Sequence, residues 1–465
     1  MHLRAAPLVL APLLLSVPLA SAAVAQHALV FVPESDCSSG GGVRALDQFT
    51  DETMVEIVPA AAGATARKTM SLATLNALVG DEDSDLDFFE SPFDEIDAIA
   101  LPPQYVASSY GSPSLYDYVW SGQHYFGEAY AAMVSDGSLW RFVKAPSLAG
   151  PVVEVVLDHA VLQAGLGTSG TVDIDAVAFS ATGDLFLSFR DDELIHGDLV
   201  AFADGGVMAF KAGDIAWNAD GTIADLGGDT AVIVLDEADV DAHVAAAALL
   251  DDVGAPVTTI GDLQALDVDP AGGTFVGADG VTSWPVLLLA GATTGPRVLT
   301  TAGGGMIAML NGVELGEAAS QDGAALGLDG NGSDLSALQV ITQRDLPLCL
   351  DLTGQGLHPA DLDDTLWIGN GLPNGTVLLY VAVGGYGAGG HFDAVALKDK
   401  FRFQALYAWD FLALIPVALD ASGDAQLDFS LDPSTLSGDL NLVVQAALVM
   451  RPVEMSAPVV ITYDG

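Results

Sequence analysis

The chain has 465 residues, of which 51% are apolar, and its 62 acidic side chains against 14 basic ones give a formal net charge of −48. Disordered chains combine such charge with low hydrophobicity, so the apolar content predicts a folded protein with room for two or three domains. Nucleic acid is excluded as a partner, because phosphate binding requires clustered Lys and Arg.

Residues 1–25 have the pattern of a secretory signal peptide. Arg4 precedes an apolar run over residues 8–19, and small residues suited to cleavage follow at 21–25. The run is short and contains prolines, and no other window approaches ~20 apolar residues without a break, so we expect no membrane span. The mature protein is predicted to be secreted or held at the cell surface, and its self-repelling charge favours a monomer.

The two cysteines of the chain are Cys37 and Cys349. An exported protein can form a disulfide between them, which would tie the mature N-terminus to the start of the last domain. Each can equally be a buried thiol. The sequence leaves both alternatives open.

The stretch "GDEDSDLDFFE" at residues 80–90 spaces its aspartates two apart, as a calcium loop does to bring alternate carboxylates onto one cation. An EF-hand is excluded, because its sixth position would be Leu86 and its twelfth Pro92. A looser calcium site and a solvated acidic turn both remain open. The candidate ligands are Asp81, Asp83, Asp85 and Asp87.

A second acidic stretch, "LDGNGSDL" at 328–335, offers a similar set of oxygen ligands. Its alternative is a turn rich in Asn and Asp side chains that bond to their own backbone. The candidate ligands are Asp329, Asn331 and Asp334. Calcium is the one cofactor that the sequence suggests.

A short motif recurs four times with a period near 80 residues, at 94–101, 172–179, 261–268 and 333–340. Each copy has an acid, an apolar residue, a polar residue, an alanine and then an alternating strand. Many short strands with a long internal period favour a β-propeller-like repeat domain over residues 26–345. A four-stranded blade needs roughly 40 to 45 residues, so each repeat is either two blades or one blade with a helix and long loops.

Acidic residues occupy matching places in these copies, namely Glu95, Asp173, Asp262 and Asp334, with Asp97 and Asp175 two residues later. In a radial arrangement they could line a central channel and hold a cation or a polar ligand. The favoured interpretation is scaffolding, in which an acid at each strand entrance shapes a turn, because turn chemistry must recur in every copy whereas a catalytic site need not.

Short amphipathic helices are predicted ahead of the motif, each with a capping Ser or Asp at its start and a Gly at its end. They fall within 68–80, 153–167 and 231–254, and in the last of these Val240, Val244, Ala247 and Ala248 form one apolar face. Asp-Gly and Gly-Asp steps predict hairpins at 135–142, 181–189, 197–210 and 218–226.

Beyond a boundary at 343–347 the motif and the helices stop, and residues 346–465 read as a β-sandwich of about seven strands followed by a last strand at 457–463. The sequence therefore predicts an all-β protein with a few short helices. Its parts are a signal peptide at 1–25, a propeller-like domain at 26–345 and a β-sandwich at 346–465.

The stretches "LVGDEDSDLDFFESPFDEIDAIAL", "VDIDAVAFSATGDLFLSFRDDE" and "LDEADVDAHVA" resemble uncharacterised secreted bacterial proteins with β-propeller-like repeats and a C-terminal β-sandwich domain. The resemblance covers most of the mature chain in outline and implies a fold and export. It carries over no functional residue, because its motifs are motifs of the fold.

The favoured function is that of a secreted, non-enzymatic extracellular or cell-surface binding or structural protein, with an unidentified protein or carbohydrate as ligand and calcium as a candidate stabilising ion. The alternative is a secreted propeller enzyme acting on carbohydrate or another polar substrate through carboxylates at the channel mouth. Tyr and Trp residues at 116–130 could stack on a sugar or pack in a core. The common zinc, nucleotide and serine-hydrolase motifs are absent from the sequence, so no catalytic residue is assigned.

Overall fold

A computed structural model of the chain consists mainly of strands, which account for 47% of it. With two short α-helices in the described part, the all-β prediction is confirmed. The structure describes residues 27–33, 54–60, 63–70, 96–103, 117–122, 135, 137–142, 153–197, 199–250, 254–269, 273–294, 298–301, 306–307, 335–342, 349–352, 357–358, 363–369, 371–384, 393–397, 403–407, 410–421, 423–430, 440–448, 454–455 and 459–463.

The strands up to residue 342 are short, which suits a chain with a turn every few residues. They are β1 His27–Pro33, β2 Met54–Ala60, β3 Gly63–Met70, β4 Ala98–Ala100, β5 Val119–Ser121, β6 Leu139–Phe142, β7 Val153–Leu157, β8 Ile174–Phe179, β9 Leu185–Phe189, β10 Glu193–Ile195, β11 Val200–Phe202, β12 Val207–Phe210, β13 Ala216–Trp217, β14 Ile223–Asp225, β15 Val232–Leu235, β16 Ala265–Val268, β17 Thr274–Val276, β18 Ser283–Pro285, β19 Leu287–Ala290, β20 Val298–Thr300, β21 Met306–Ile307 and β22 Leu335–Thr342.

Six of these strands form the two-stranded sheets β10-β11, β13-β14 and β17-β18, and the other sixteen form four sheets of four antiparallel strands each. Their orders are β4-β5-β6-β7, β15-β12-β9-β8, β16-β19-β20-β21 and β22-β1-β2-β3. The fourth sheet joins the two ends of this part of the chain, because β1 pairs with β22 from His27 opposite Thr342 to Pro33 opposite Leu335. Each of the first three repeats thus contributes one four-stranded sheet, and not two, whereas the fourth repeat contributes β22 to a sheet that β1, β2 and β3 complete.

One strand from each sheet comes from a copy of the repeated motif, and we call β4, β8, β16 and β22 the inner strands. Each stands at one end of its sheet. β4 contacts β8, β8 contacts β16, β16 contacts β22, and β22 contacts β4. The four copies of the motif are therefore neighbours in space although about 80 residues separate them along the chain.

The second sheet is buried on both faces, as all residues of β8 and β9 are buried. Alternate side chains serve the two faces: Val177 and Leu187 pack with the first sheet, whereas Ala178 and Phe186 pack with the third. Trp284 meets Phe186 edge to face on the second of these faces, with ring centroids 5.7 Å apart. Continuous apolar strands are what a sheet packed between two others requires.

The two helices are α1, His159–Leu166, and α2, Glu237–Ala247. For α1 the predicted caps are confirmed: Asp158 accepts a hydrogen bond from the Ala160 N–H, and Gly167 ends the helix with φ +65°. α2 begins as predicted, with Asp236 as N-cap, and its Val240, Val244 and Ala247 are buried.

The predicted end of α2 is wrong, because the helix closes at Ala248, with φ +52°, and not at the glycine of residue 254. Ala248 is consequently exposed and does not belong to the apolar face. In the described part of the chain no helix is long and apolar enough to cross a membrane.

The predicted hairpins at 181–189 and 218–226 are confirmed as β8–β9 and β13–β14. The hairpin predicted at 197–210 is wrong. Its turn forms, with the Gly206 N–H bonded to the Ala203 carbonyl, but β11 pairs with β10 whereas β12 pairs with β9 and β15. The four-stranded sheet offers β12 two partners, which outweighs pairing across its own turn.

The part after residue 346 is also made of strands in the positions expected, and three short strands were not predicted. They are β23 Cys349–Leu352, β24 Leu357–His358, β25 Asp363–Gly369, β26 Thr376–Gly384, β27 Asp393–Leu397, β28 Phe403–Tyr407, β29 Asp410–Ala418, β30 Ala425–Ser430, β31 Leu440–Leu448, β32 Glu454–Met455 and β33 Val459–Tyr463. The unpredicted ones are β24, β28 and β32.

The larger sheets here have the orders β23-β25-β30 and β24-β33-β31-β26-β29, with β32 beside β31. The turn at 420–424 joins β29 to β30, and these strands lie in different sheets. The chain therefore passes from one sheet to the other at this turn.

Candidate functional site

The repeated motif places its fourth residue at an irregular point of the inner strand. In β8, Ile174 is opposite Phe189 and Ala176 is opposite Ser188, so Asp175 is an extra residue and forms a β-bulge. In β22 the register shifts in the same way around Ser336, since Leu335 pairs with Pro33 and Ala337 with Val32.

The other two copies have a related backbone arrangement. The Asp97 N–H donates to the Ser121 carbonyl, although Ser121 is the partner of Ala98. Similarly, the Gln264 N–H donates to the carbonyl of Ala290, the partner of the next residue in β16. A bulge turns a side chain away from the regular alternation, so the side chains of Asp175 and Ser336 leave the regular pattern of their strands.

Carboxyl groups from three copies of the motif come together at the start of the inner strands. Burial raises the pKa of Asp175 well above its ordinary value, and the nearby carboxylates of Asp262, Asp97 and Asp173 raise it further, against the opposing charge of Arg190. We call the four aspartates Asp97, Asp173, Asp175 and Asp262 the carboxyl cluster. Residues 87 positions apart thus share one electrostatic environment.

The carboxyl groups of Asp175 and Asp262 are close neighbours, and burial raises the pKa of Asp262 to about 6. Two neighbouring buried carboxyl groups disfavour the ionisation of both, so the pair binds a proton more readily than an isolated aspartate does. Oδ2 of Asp175 and Oδ1 of Asp262 are buried, and no N–H or hydroxyl group of the described residues donates a hydrogen bond to them. Asp175 is only 7% exposed.

The turn-shaping role stays a prediction for Asp175, whose carboxyl lies near an acid of the next repeat. Asp262 does bond locally to the N–H of Leu263. True turn chemistry lies at the other end of β8, where Asp184 accepts hydrogen bonds from Ser180 and Thr182.

A second group of acids surrounds the carboxyl cluster, and we call it the acidic rim. Burial, together with the charges of Asp191 and Asp173, raises the pKa of Glu193 to about 7. Burial also raises the pKa values of Asp204 and Glu237, each of which lies near other acids. The rim consists of Asp191, Asp192, Glu193, Asp204 and Glu237.

The inner strands carry one more buried polar contact. Asp267, in β16, and Gln339, in β22, occupy the place that Ala100 and Ala178 hold in the first two copies. Gln339 Nε2 donates to Asp267 Oδ2 at 3.1 Å, and the Val340 N–H donates to the same oxygen. These bonds join the third sheet to the fourth.

The same contact continues to the first sheet, because the Leu101 N–H donates to Gln339 Oε1 at 2.7 Å. Asp267 Oδ1 accepts from the Val268 N–H, yet burial raises the pKa of Asp267 to about 8. We call Asp267 and Gln339 the polar clamp. The polar clamp lies where the fourth sheet, formed by β22, β1, β2 and β3, meets the first and the third sheets.

The calcium ligands predicted from sequence lie outside the described residues, both Asp81, Asp83, Asp85 and Asp87 and the set Asp329, Asn331 and Asp334. Cys37 also lies outside them, and Cys349 begins β23. Over the described ranges, no group of three or more His, Cys, Asp or Glu side chains has the arrangement of a metal site. Of the aromatic stretch, Tyr118 and Trp120 are buried and pack in the core.

Sequence reasoning identified the acids of the carboxyl cluster but favoured a turn-shaping role over their convergence. The signal that could have found it is the polar residue at the fourth motif position, which precedes an apolar strand in all four copies. The polar clamp was missed because Asp267 and Gln339 each stand alone in an apolar strand.

Comparison with known proteins leaves the chain without an assigned family. No family model and no curated protein matches it. Two weakly similar solved structures are Salmonella alpha-2-macroglobulin reacted with methylamine and the native conformation of E. coli alpha-2-macroglobulin. They are 9% and 11% identical, with TM-scores of 0.16, and the alignments cover 95% of this chain in each case but 37% and 31% of those chains. The chain spans about a third of their length, and likenesses of this size carry no argument.

Proposed function

We propose that this chain is an exported, non-enzymatic binding protein, in which a four-bladed propeller-like part precedes a C-terminal β-sandwich. The ligand is a molecule that presents a primary ammonium group, and it binds at the carboxyl cluster. A free polyamine and a lysine side chain of a partner protein share this chemistry.

Two features of the fold support the propeller-like arrangement. Four four-stranded sheets each put one inner strand against the next, and β22 returns to β4. The last sheet combines strands from both ends of this part, which is an economical way to join the ends of a ring. The passage of the chain between two sheets at 420–424 supports the sandwich.

The observation that carries the ligand assignment is the pair of buried carboxyl oxygens, Asp175 Oδ2 and Asp262 Oδ1, to which no N–H or hydroxyl group of the described residues donates a hydrogen bond. A buried polar atom without a partner costs about 1 to 3 kcal/mol, so such atoms in a native structure indicate a missing donor. An ammonium group supplies up to three N–H donors and a positive charge together.

The acidic rim supports the same class of ligand. Negative groups around a site raise the local concentration of cations and speed their association. Because this attraction is screened by salt, the rim should contribute mainly to the association rate at low ionic strength.

Titration calorimetry with spermidine and with tetralysine as probes, at fixed ionic strength, tests this function. We expect saturable binding by the wild type and about tenfold weaker binding by Asp175→Asn. The matched control is Asp158→Asn, which removes the same charge on the exposed surface and keeps an N-cap for α1. If the wild type and both variants bind the probes equally well, the calorimetric signal comes from general charge attraction, and the proposal is refuted.

The enzyme alternative draws support from the same acids, since a neutral and an ionised carboxyl side by side form an acid and base pair. The distance argues against glycoside hydrolysis, however, because that chemistry separates its two carboxyls by about 5 to 9.5 Å. Asp175 and Asp262 are within hydrogen-bonding distance of each other. Hydrolysis of a glycoside by the wild type that is lost in Asp175→Asn would favour the enzyme instead.

A further inference from the structure

We propose that the β10–β11 hairpin is a separate interaction surface, which binds a cationic segment of a partner protein that carries both large apolar and basic side chains. This surface is exposed and makes no use of the buried carboxyl cluster. The inference therefore goes beyond the proposed function and can fail or succeed independently of it.

The hairpin presents large apolar side chains to solvent. Leu194, in β10, is 50% exposed, and Leu199, at the turn, is 85% exposed. Ala201 pairs with Leu194 across the hairpin and is exposed as well. Single exposed leucines are common on protein surfaces, whereas neighbouring ones on a single element are typical of an interaction surface.

The strands of the hairpin are anchored in the core by their other face. Ile195 and Phe202 are both buried. Phe202 also meets Phe189 edge to face, with ring centroids 5.9 Å apart. The alternation of β10 and β11 thus directs one set of apolar side chains into the core and leaves the other set exposed.

The turn of the hairpin is fixed to the end of α1. The His196 N–H donates to the Leu166 carbonyl at 2.9 Å, and the Gly197 N–H donates to the Gly167 carbonyl at 2.7 Å. Nδ1 of His196 lies 2.6 Å from Oδ1 of Asp229. Because the hairpin is held at both its strands and its turn, a partner loses little affinity to ordering it.

Acidic side chains border the exposed leucines. Residues 190–204 contain five acids, against Arg190 and His196 as the basic groups. Asp191 and Asp192 are exposed directly before β10. Apolar side chains beside negative charge are complementary to a segment that combines apolar with lysine or arginine side chains. The formal net charge of −48 disfavours a second copy of this chain and an anionic membrane as the occupant.

The β17–β18 hairpin offers a comparison within the same protein. It also forms a two-stranded sheet, and its Val276 and Val281 are 59% and 84% exposed. Residues 270–285 contain one acid, Asp279, which accepts hydrogen bonds from the N–H groups of Val281 and Thr282. This hairpin has a similar apolar exposure with less negative charge, so it should not bind a cationic segment.

Fluorescence anisotropy of two labelled peptides, titrated with the full chain at fixed ionic strength, tests the surface. One peptide consists of lysine and leucine with its leucines on one helical face, and the other has serine in place of every leucine. We expect the wild type to bind the leucine peptide at least tenfold more tightly. Leu194→Ser/Leu199→Ser should lower the affinity for the leucine peptide roughly tenfold and leave that for the serine peptide unchanged.

Val276→Ser/Val281→Ser is the matched control, because it removes exposed apolar side chains from the hairpin with less charge. It should bind both peptides as the wild type does. Leu199→Ser alone is the second variant, since its exposed position keeps the test available if the double variant does not fold. Asp175→Asn should leave the preference for the leucine peptide unchanged.

Equal affinity of the wild type for the two peptides would overturn the inference, and so would an equal loss in the two double variants. Self-association of the wild type that Leu194→Ser/Leu199→Ser abolishes would assign the hairpin to a second copy and overturn the cationic partner. Binding to phosphatidylcholine vesicles that is lost in the same variant would assign it to a membrane, with the same consequence. Failure of the wild type to bind spermidine counts against the proposed function alone.

Discussion

Replacing Asp267 by alanine tests how the polar clamp balances hydrogen bonding against burial. Alanine already stands at the matching place in the first two copies, as Ala100 and Ala178, so the inner strand accommodates it. In the wild type the Asp267 carboxyl accepts hydrogen bonds from Gln339 and from two backbone N–H groups. Burial nevertheless raises its pKa from 3.8 to about 8.

The magnitude follows from proton linkage. Between these two pKa values the folded protein holds a proton that the unfolded chain has lost, so the free energy of unfolding falls as the pH rises. At about 1.4 kcal/mol per pH unit, the step from pH 5 to pH 8 removes about 4 kcal/mol from the wild type through this one group. The alanine variant has no such loss.

The variant also loses the acceptor of two buried donors, the Val340 N–H and Gln339 Nε2, at a cost of roughly 1 to 3 kcal/mol each. This cost is the same at every pH. We therefore expect Asp267→Ala to be clearly less stable than the wild type at pH 5 and close to it, or more stable, at pH 8.

Guanidinium unfolding followed by tryptophan fluorescence, at pH 5, 6, 7 and 8, measures the free energy of unfolding of both proteins. The titration of the other acids cancels in the difference between the two values. Gln339→Ala is the control, because it removes the partner but keeps the titrating group, so its free energy of unfolding should still fall as the pH rises from 5 to 8. If the difference in the free energy of unfolding between the wild type and Asp267→Ala stays constant within about 1 kcal/mol from pH 5 to pH 8, the predicted effect of Asp267 titration is refuted. That result would mean that three N–H donors keep Asp267 ionised in the fold.

Three further predictions concern the backbone and calcium. Gly423→Ala should lower the melting temperature strongly, because Gly423 has φ +84° and an added Cβ would clash with the Gly371 carbonyl oxygen. The control Gly280→Ala, at a position with φ +68° and open space around it, should cost only about 1 to 2 kcal/mol. Equal melting temperatures of the two variants would contradict this prediction. Asp158→Ala should lose about 0.5 to 2 kcal/mol in denaturant unfolding through the N-cap of α1, and no loss would show that the cap is dispensable. Millimolar calcium in moderate salt should raise the melting temperature, and the rise should vanish when the aspartates at 81–87 become asparagine; an unchanged melt of the wild type would end the calcium hypothesis.

The local structure of this protein could be predicted from sequence because it depends on neighbouring residues. Asp158 and Gly167 delimit α1 because one supplies an acceptor for the first turn and the other tolerates a positive φ. The β8–β9 hairpin follows from two apolar strands around a short polar turn. The four motif copies also marked the inner strands correctly, since each combines the same polar entrance with an apolar strand.

Pairing between distant strands could not be predicted in this way. β11 and β12 flank a turn that forms as predicted, yet β12 pairs with β9 and β15. A central position in the sheet gives β12 backbone hydrogen-bond partners on both of its sides. Ala248 ends α2 in a conformation that favours glycine, a choice that its own side chain does not signal.

The sequence by itself determined the strand content, the helix starts and the fourfold motif, because these arise from propensity, capping and alternation over a few residues. Only the tertiary structure decided what the polar residues of the motif do. A bulge redirects Asp175, and packing of β8 against β16 brings it to Asp262, a residue that chain spacing alone does not make its neighbour. The polar clamp arises in the same way, since the hydrogen bonds of Asp267 exist only once β22 lies beside β16.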